Sequence, residues 1–257
     1  MAAPRTSNWR AGLRVAGMAA ALIACLPGHY AWRILGRASP WPRIFLAWIG
    51  RIAGLRVEQI GQPLRTHVLL LANHVSWLDI MLLAGTTGCS FVSKKEVARW
   101  PVAGWLASLN RTIFIERAQR GAIHGQTEAL RSALVSGRPV ALFPEGTTEG
   151  GIDVLPFRAS LLASLFPPLP AVKVQPVAID YHAVAHDIAW TGDERAVANA
   201  IRVLRRPGRI PVTLHFLEPI EPAGMVGRKE LAAAVRAEIV EAMATGLSGS
   251  PTPTDRL

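Results

Sequence analysis

The stretch His67-Val68-Leu69-Leu70-Leu71-Ala72 runs directly into Asn73-His74-Val75-Ser76-Trp77-Leu78-Asp79. A short apolar run of strand length, a polar turn, then a helix-like segment from Trp77 reads as strand, turn, helix. The same unit recurs along the chain. Cys89 to Ser93, Thr112 to Ile115, Pro139 to Phe143, Val172 to Ile179 and Val212 to Leu217 read as strands. Between and after them, Val97 to Leu109, Ala122 to Ser136, Phe157 to Phe166 and Arg228 to Thr245 read as helices. This alternation predicts an α/β chain: a layered α/β/α domain with a largely parallel mixed sheet. In such sheets the chemistry gathers beyond the carboxyl ends of the strands.

Three strand exits carry unusual residues. In the first, His74 stands five residues before Asp79, and on one helix they would lie about 140° apart. They meet if His74 sits in the turn and Asp79, in the first helical turn, reaches back. The carboxylate then fixes one ring nitrogen and leaves the other as a base. The competing assignment for Asp79 is a capping box with Ser76. At the exit of Thr112 to Ile115, the Arg117 guanidinium suits two parallel bonds to an anion, with a surface ion pair as the alternative. At the exit of Pro139 to Phe143 stand Pro144-Glu145-Gly146-Thr147-Thr148. Gly146 permits close backbone approach, and free amides with threonine hydroxyls suit an anion. Glu145 suits orienting a hydroxyl or an arginine; a turn with a helix cap is the plainer alternative.

Other candidates are weaker. His182 and His186 have metal-like spacing beside Asp187 but lack a third convincing ligand, so no metal is expected. His29, His67, His124 and His215 are read as structural. Cys25 and Cys89 read as small buried hydrophobes rather than a disulfide framework.

Composition adds a location. The 257 residues are 50% hydrophobic and 18% charged, with net charge +10, which excludes disorder as the main state. The first 65 residues hold nine Arg against one acid, Glu58, while the remainder is nearly neutral. Seven of the eight Trp lie at or before Trp105. Trp and Arg flanking apolar stretches are the composition of a membrane interface, and no nucleic-acid motif accompanies the charge. The uncharged run between Arg14 and Arg33, interrupted by Pro27 and Gly28, would span roughly 27 Å as a helix. Trp41 to Leu55 reads as an amphipathic interfacial helix with Arg43 and Arg51 on its polar face. A hairpin buried on the domain is the alternative, since neither a cleavage site nor a transit-peptide composition is present. The expected organisation is membrane-anchoring helices over 1–60, one α/β domain over 61–247 and a disordered tail over 248–257. The Arg cluster after the apolar run favours the cytoplasmic side of the cell membrane, with Arg5, Arg10 and Arg14 counting against it.

Taken in order, Asn73-His74-x4-Asp79, Phe114-Ile115-Glu116-Arg117, Phe143-Pro144-Glu145-Gly146-Thr147 and Val174-Gln175-Pro176-Val177 resemble the four blocks of the glycerolipid acyltransferase family. That group includes bacterial 1-acyl-sn-glycerol-3-phosphate acyltransferases. The resemblance implies acyl transfer from acyl-CoA or acyl-carrier protein to a lysolipid at a membrane, with no cofactor beyond that co-substrate. It implies His74 as general base with Asp79 as its partner. It implies Arg117, Glu145, Gly146 and Thr147 at the acceptor's polar head, and a site-shaping strand around Pro176. Lys94 and Lys95 resemble the family's basic stretch, where one would steady an oxyanion or contact the donor; two solvated lysines are the alternative. Two departures, Glu116 for a common Asp and Glu149-Gly150-Gly151 where relatives often carry Ser-Asp, bear on the acceptor headgroup. The expected product is phosphatidic acid from 1-acyl-sn-glycerol-3-phosphate, with a lyso-ornithine lipid or another lysophospholipid as alternative acceptor. A non-catalytic membrane-bound lipid- or carrier-binding protein is the rival of another class. A serine hydrolase is disfavoured by the lack of Gly-x-Ser-x-Gly.

Overall fold

A computed structural model of the chain describes residues 7–115, 123–148, 150–151, 153–192 and 194–248. Arg117 and Glu116, and the tail expected beyond Ser248, lie outside these residues.

Two helices lead in. Helix α1 (Asn8–Ile34) continues through Pro27 instead of stopping there. Gly28 explains the pairing with the next helix: a Cβ there would lie 2.2 Å from the Trp41 indole, so the missing side chain admits the ring. Helix α2 (Trp41–Ala53) buries Phe45, Leu46, Ile49, Gly50 and Ala53, a stripe at helical spacing. That stripe, read from sequence as the membrane face, packs against the domain. Of these two helices, it is α1 that exposes most large apolar side chains, Trp9, Leu13, Val15, Ile23, Tyr30 and Ile34, against Trp48 on α2. By length and composition α1 is apolar enough to cross a membrane. It is nonetheless tied to the domain by Arg14, which donates to the carbonyls of Val203, Leu204, Arg206 and Gly208 at 3.1–3.3 Å. Those carbonyls lie at and just beyond the end of helix α7 (Ala196–Arg205), where a cation suits the helix dipole.

The sheet has seven strands: β1 (Leu55–Ile60), β2 (Val68–Ala72), β3 (Ser90–Lys94), β4 (Ile113–Ile115), β5 (Val140–Leu142), β6 (Lys173–Asp180) and β7 (Ile210–Phe216). Their order is β1-β7-β6-β2-β5-β3-β4, and every neighbouring pair is parallel except β6 with β7. Leu55–Ile60, which the sequence grouped with the N-terminal helices, is thus an edge strand of the sheet. Val57↔Val212 sets its register.

β2 is buried on both faces, which is why its sequence is an unbroken apolar run. Val68, Leu70 and Ala72 join the core beneath α1, α2, α7 and α3 (Leu78–Thr87). Leu69 and Leu71 join the opposite core under α5 (Ile123–Val135) and α8 (Arg228–Ser248). A short helix, α4 (Pro101–Leu109), follows β3, and α6 (Ala185–Ile188) follows β6. The region expected as a helix over 157–166 is a 3₁₀ segment, Ala159–Leu165. Both cysteines are buried and unpaired, and burial pushes the Cys89 thiol up to about 12. Because β2 to β6 all run one way, their exits open on a single edge.

Candidate active site

Three adjacent strand exits, those of β6, β2 and β5, converge on His74. The β2 exit begins with Asn73, buried, whose amide donates to the Ile179 carbonyl at 3.0 Å and accepts from the Ile179 N–H at 2.8 Å. This two-way bond fixes the start of the turn to β6. His74 then sits in the turn, and Asp79 lies in the first turn of α3 with no exposed surface. His74 Nδ1 lies 2.7 Å from Asp79 Oδ2. The same oxygen accepts the backbone N–H groups of Val75 at 2.8 Å and Ser76 at 2.9 Å. Oδ1 accepts the Tyr181 hydroxyl at 2.6 Å.

The capping bonds of Asp79 and its contact with the His74 ring are therefore one arrangement. A carboxylate that reaches back to amides at the mouth of its own helix is also in place to hold the imidazole. As an anion it has only acceptor sites, so the bond fixes the proton on Nδ1 and leaves Nε2 as the basic nitrogen. The ring is restrained on one face by Phe143, whose centroid is 3.9 Å away at an interplanar angle of 10°, and Phe91 stacks beyond it. About a sixth of the His74 side chain remains accessible (17%), enough for a substrate to reach it. Ser76, by contrast, is fully buried and poorly placed to act as a nucleophile.

Glu145, from the β5 exit, is buried beneath the turn rather than displayed. Its Oε1 accepts the His74 backbone N–H at 2.8 Å and its Oε2 accepts the Leu155 N–H at 3.1 Å. It ties the histidine's own backbone to the loop that follows β5. Gly146 takes φ +75, a conformation costly for any residue with a Cβ, and turns the chain back so that its N–H bonds the Phe143 carbonyl. Thr147 is exposed, and Thr148 donates its hydroxyl to the Trp190 carbonyl. Trp190 in turn donates its N–H to the Val75 carbonyl at 2.9 Å, so the segment after α6 is sewn to the histidine turn. Arg236 on α8 braces the loop from behind, with Nη2 2.6 Å from the Val154 carbonyl.

The remaining sequence candidates lie apart. Lys94 ends β3 and Lys95 opens the 3₁₀ turn Lys95–Arg99; both are exposed on the same edge as His74. Two strand spacings, about 10 Å, separate β3 from β2. Pro176 lies in β6 opposite Leu71 of β2. His182 contacts Asp180 and Thr213, and Asp187 pairs with Arg206. Sequence reading missed Tyr181, Phe143 as a ring platform, and Asn73 as a strand tie. Asn73 and Phe143 stood inside recognised blocks without a role of their own; Tyr181 is 102 residues from the aspartate it contacts.

A buried aspartate holding one nitrogen of a partly accessible histidine, at the carboxyl edge of an α/β sheet, is an arrangement suited to general-base chemistry. A family model described as Acyltransferase matches residues 56–180, from β1 through the end of β6. A lyso-ornithine lipid O-acyltransferase of Brucella abortus is 34% identical over 94% of this chain and 96% of its own. A 1-acyl-sn-glycerol-3-phosphate acyltransferase of Neisseria gonorrhoeae is 37% identical over 52% of this chain and 53% of its own. The crystal structure of the 1-acyl-sn-glycerophosphate acyltransferase PlsC from Thermotoga maritima superposes with a TM-score of 0.59 at 25% identity, over 82% of this chain and 78% of that one. The chain belongs to this acyltransferase family, and it is an acyltransferase of lysolipids.

Proposed function

We propose that the protein transfers a fatty acyl group from a thioester donor, acyl-CoA or acyl-carrier protein, to the hydroxyl of lyso-ornithine lipid. The observation that carries the choice of acceptor is coverage. Likeness to the lyso-ornithine lipid enzyme runs through nearly the whole of both chains, including the N-terminal helices and the region after β6. Likeness to the Neisseria lysophosphatidate enzyme stops at about half of each. The second reading, 1-acyl-sn-glycerol-3-phosphate as acceptor, is favoured by the likeness to PlsC, which extends over most of the fold.

In either case His74 Nε2 takes the proton from the lysolipid hydroxyl as its oxygen attacks the thioester carbonyl carbon. The tetrahedral intermediate collapses, the C–S bond breaks, and the leaving thiolate takes the proton back from His74. Asp79 opposes the imidazolium while it exists. General-base assistance of this kind contributes roughly 10² to 10⁴ in rate. Arg117, Gly146 and Thr147 bind the acceptor's polar head, and Lys94 or Lys95 meets the donor or the oxyanion. The apolar surface of α1 keeps the domain on the cytoplasmic face of the membrane, where both the acceptor and the product remain.

The test is competition. Purified full-length protein in vesicles is given labelled acyl-CoA or acyl-carrier protein with equal amounts of the two lysolipids. Preferential acylation of lyso-ornithine lipid is expected. Preference for lysophosphatidate would replace the acceptor, and release of free fatty acid without transfer would overturn the reaction.

A further inference from the structure

Tyr181 is the first residue after β6, and its side chain is buried. The two oxygens of Asp79 are divided between different tasks. Oδ2 serves the His74 ring and two backbone amides, while Oδ1 takes the Tyr181 hydroxyl at 2.6 Å. Burial, then the charge of Asp79 and the bond to it, raise the phenol well above its usual range, so the hydroxyl stays a donor.

The turn carrying Tyr181 is braced more heavily than a strand exit needs. Asp180, also buried, accepts the His182 N–H at 2.7 Å on Oδ1, and its Oδ2 lies 3.0 Å from His182 Nδ1. The far nitrogen of His182 is 2.9 Å from the Thr213 hydroxyl of β7. His182 itself holds φ +52, a left-handed conformation that a residue with a Cβ adopts at a cost. Strain of that kind persists where its surroundings over-determine it, and such places cluster at functional sites.

The geometry points to Tyr181 as a positioning residue for the catalytic pair: its bond to Oδ1 shares the charge of Asp79, limits how tightly the carboxylate grips the His74 imidazolium, and so sets the pH at which His74 becomes a base. The inference rests on His74 acting as the base. Among the described residues, the titratable groups in contact with the pair are Tyr181 on Asp79 and Glu145, which accepts the His74 backbone N–H. On α2, the helix packed against α3, Arg43 donates to the Gly85 carbonyl near the other end of α3. Without the phenol hydroxyl, the charge on Oδ1 is left uncompensated in a site that water does not reach. The carboxylate then draws the His74 proton harder, and the protonated pair persists to higher pH.

The test uses full-length protein in detergent micelles with ¹⁵N-labelled histidine, the His74 ring signal being assigned by its loss in His74→Asn. In Tyr181→Phe the His74 titration midpoint should rise by about one pH unit, the scale of one hydrogen bond to a charged group. The acid limb of kcat/KM should move up with it. The chain has two tyrosines, so 3-fluorotyrosine in a Tyr30→Phe background places one stronger donor at position 181. That substitution should move the midpoint down, and it decides the matter even if Tyr181→Phe folds badly. Midpoints unmoved in both, or moved the same way, overturn the role of Tyr181. His74→Ala retaining wild-type transfer overturns the base assignment instead, independently of either tyrosine variant.

Discussion

Asp79→Asn removes a charge while preserving shape, so its effect separates electrostatics from packing. The side chain is fully buried and accepts four donors: the His74 ring, the Val75 and Ser76 amides, and the Tyr181 hydroxyl, all within 2.6–2.9 Å. An asparagine can direct its oxygen at the first three and its NH₂ at the Tyr181 oxygen. Each hydrogen bond to a charged acceptor contributes about 1.5–3 kcal/mol, against about 1 kcal/mol for a neutral one. Neutralising the acceptor of three bonds thus weakens the turn by roughly 3 kcal/mol, or about 6–12 °C in melting temperature for a chain of this size. The larger effect falls on the reaction. The imidazolium formed as the hydroxyl is deprotonated loses its counter-ion in a low-dielectric site, and a fall of about 10² to 10⁴ in kcat follows, with KM for the lysolipid little changed. The assay is labelled-acyl transfer to lysolipid in vesicles, run beside a thermal melt. An Asp79→Asn variant that melts as expected yet turns over at the wild-type rate would refute the claim that the Asp79 charge supports the base.

Three further outcomes follow from the same geometry. Glu145→Gln can satisfy only one of the two amides that the glutamate holds, so kcat should fall about tenfold or more and stability by about 1–3 kcal/mol, read from turnover and melting; unchanged values would remove Glu145 from the support of the histidine turn. Arg14→Ala removes one donor from each of four carbonyls and should loosen α1 from α7, seen as faster limited proteolysis between α1 and α2 while transfer in vesicles persists. The bonds from Arg202 and then Asn199 hold Glu194 down at about 2, so its contribution to stability is present above the ordinary carboxylate range and is lost as pH falls toward 2. The melting-temperature gap between wild type and Glu194→Gln should accordingly close over that interval, and a gap that widened on acidification would reverse the sign.

What the sequence disclosed depended on whether the signal was local. β2 was legible because a strand buried on both faces must be apolar throughout, and the His74 to Asp79 turn because both partners lie within one strand–turn–helix unit. β1 was not, since only Leu55 of its six residues is buried and the rest look like loop. The reversal of β7 against β6 is a matter of tertiary pairing that no short pattern encodes. The stripe on α2 is legible but its partner is not: amphipathicity reports that a face is covered, not whether lipid or protein covers it. Glu145 stands out in the sequence as an acid in a special turn, yet the amides it accepts from are 71 and 10 residues away, which only the folded chain brings together. Tyr181 has no local mark at all, because a tyrosine after an apolar strand looks like the end of a core.

The central claim is that His74 is the base for acyl transfer to a lysolipid. Its most direct test is the turnover of His74→Ala, folded and vesicle-bound like the wild type, with donor thioester and lysolipid both saturating. The account predicts a loss of at least about 10², reaching about 10⁴. Turnover within a few-fold of wild type would contradict it.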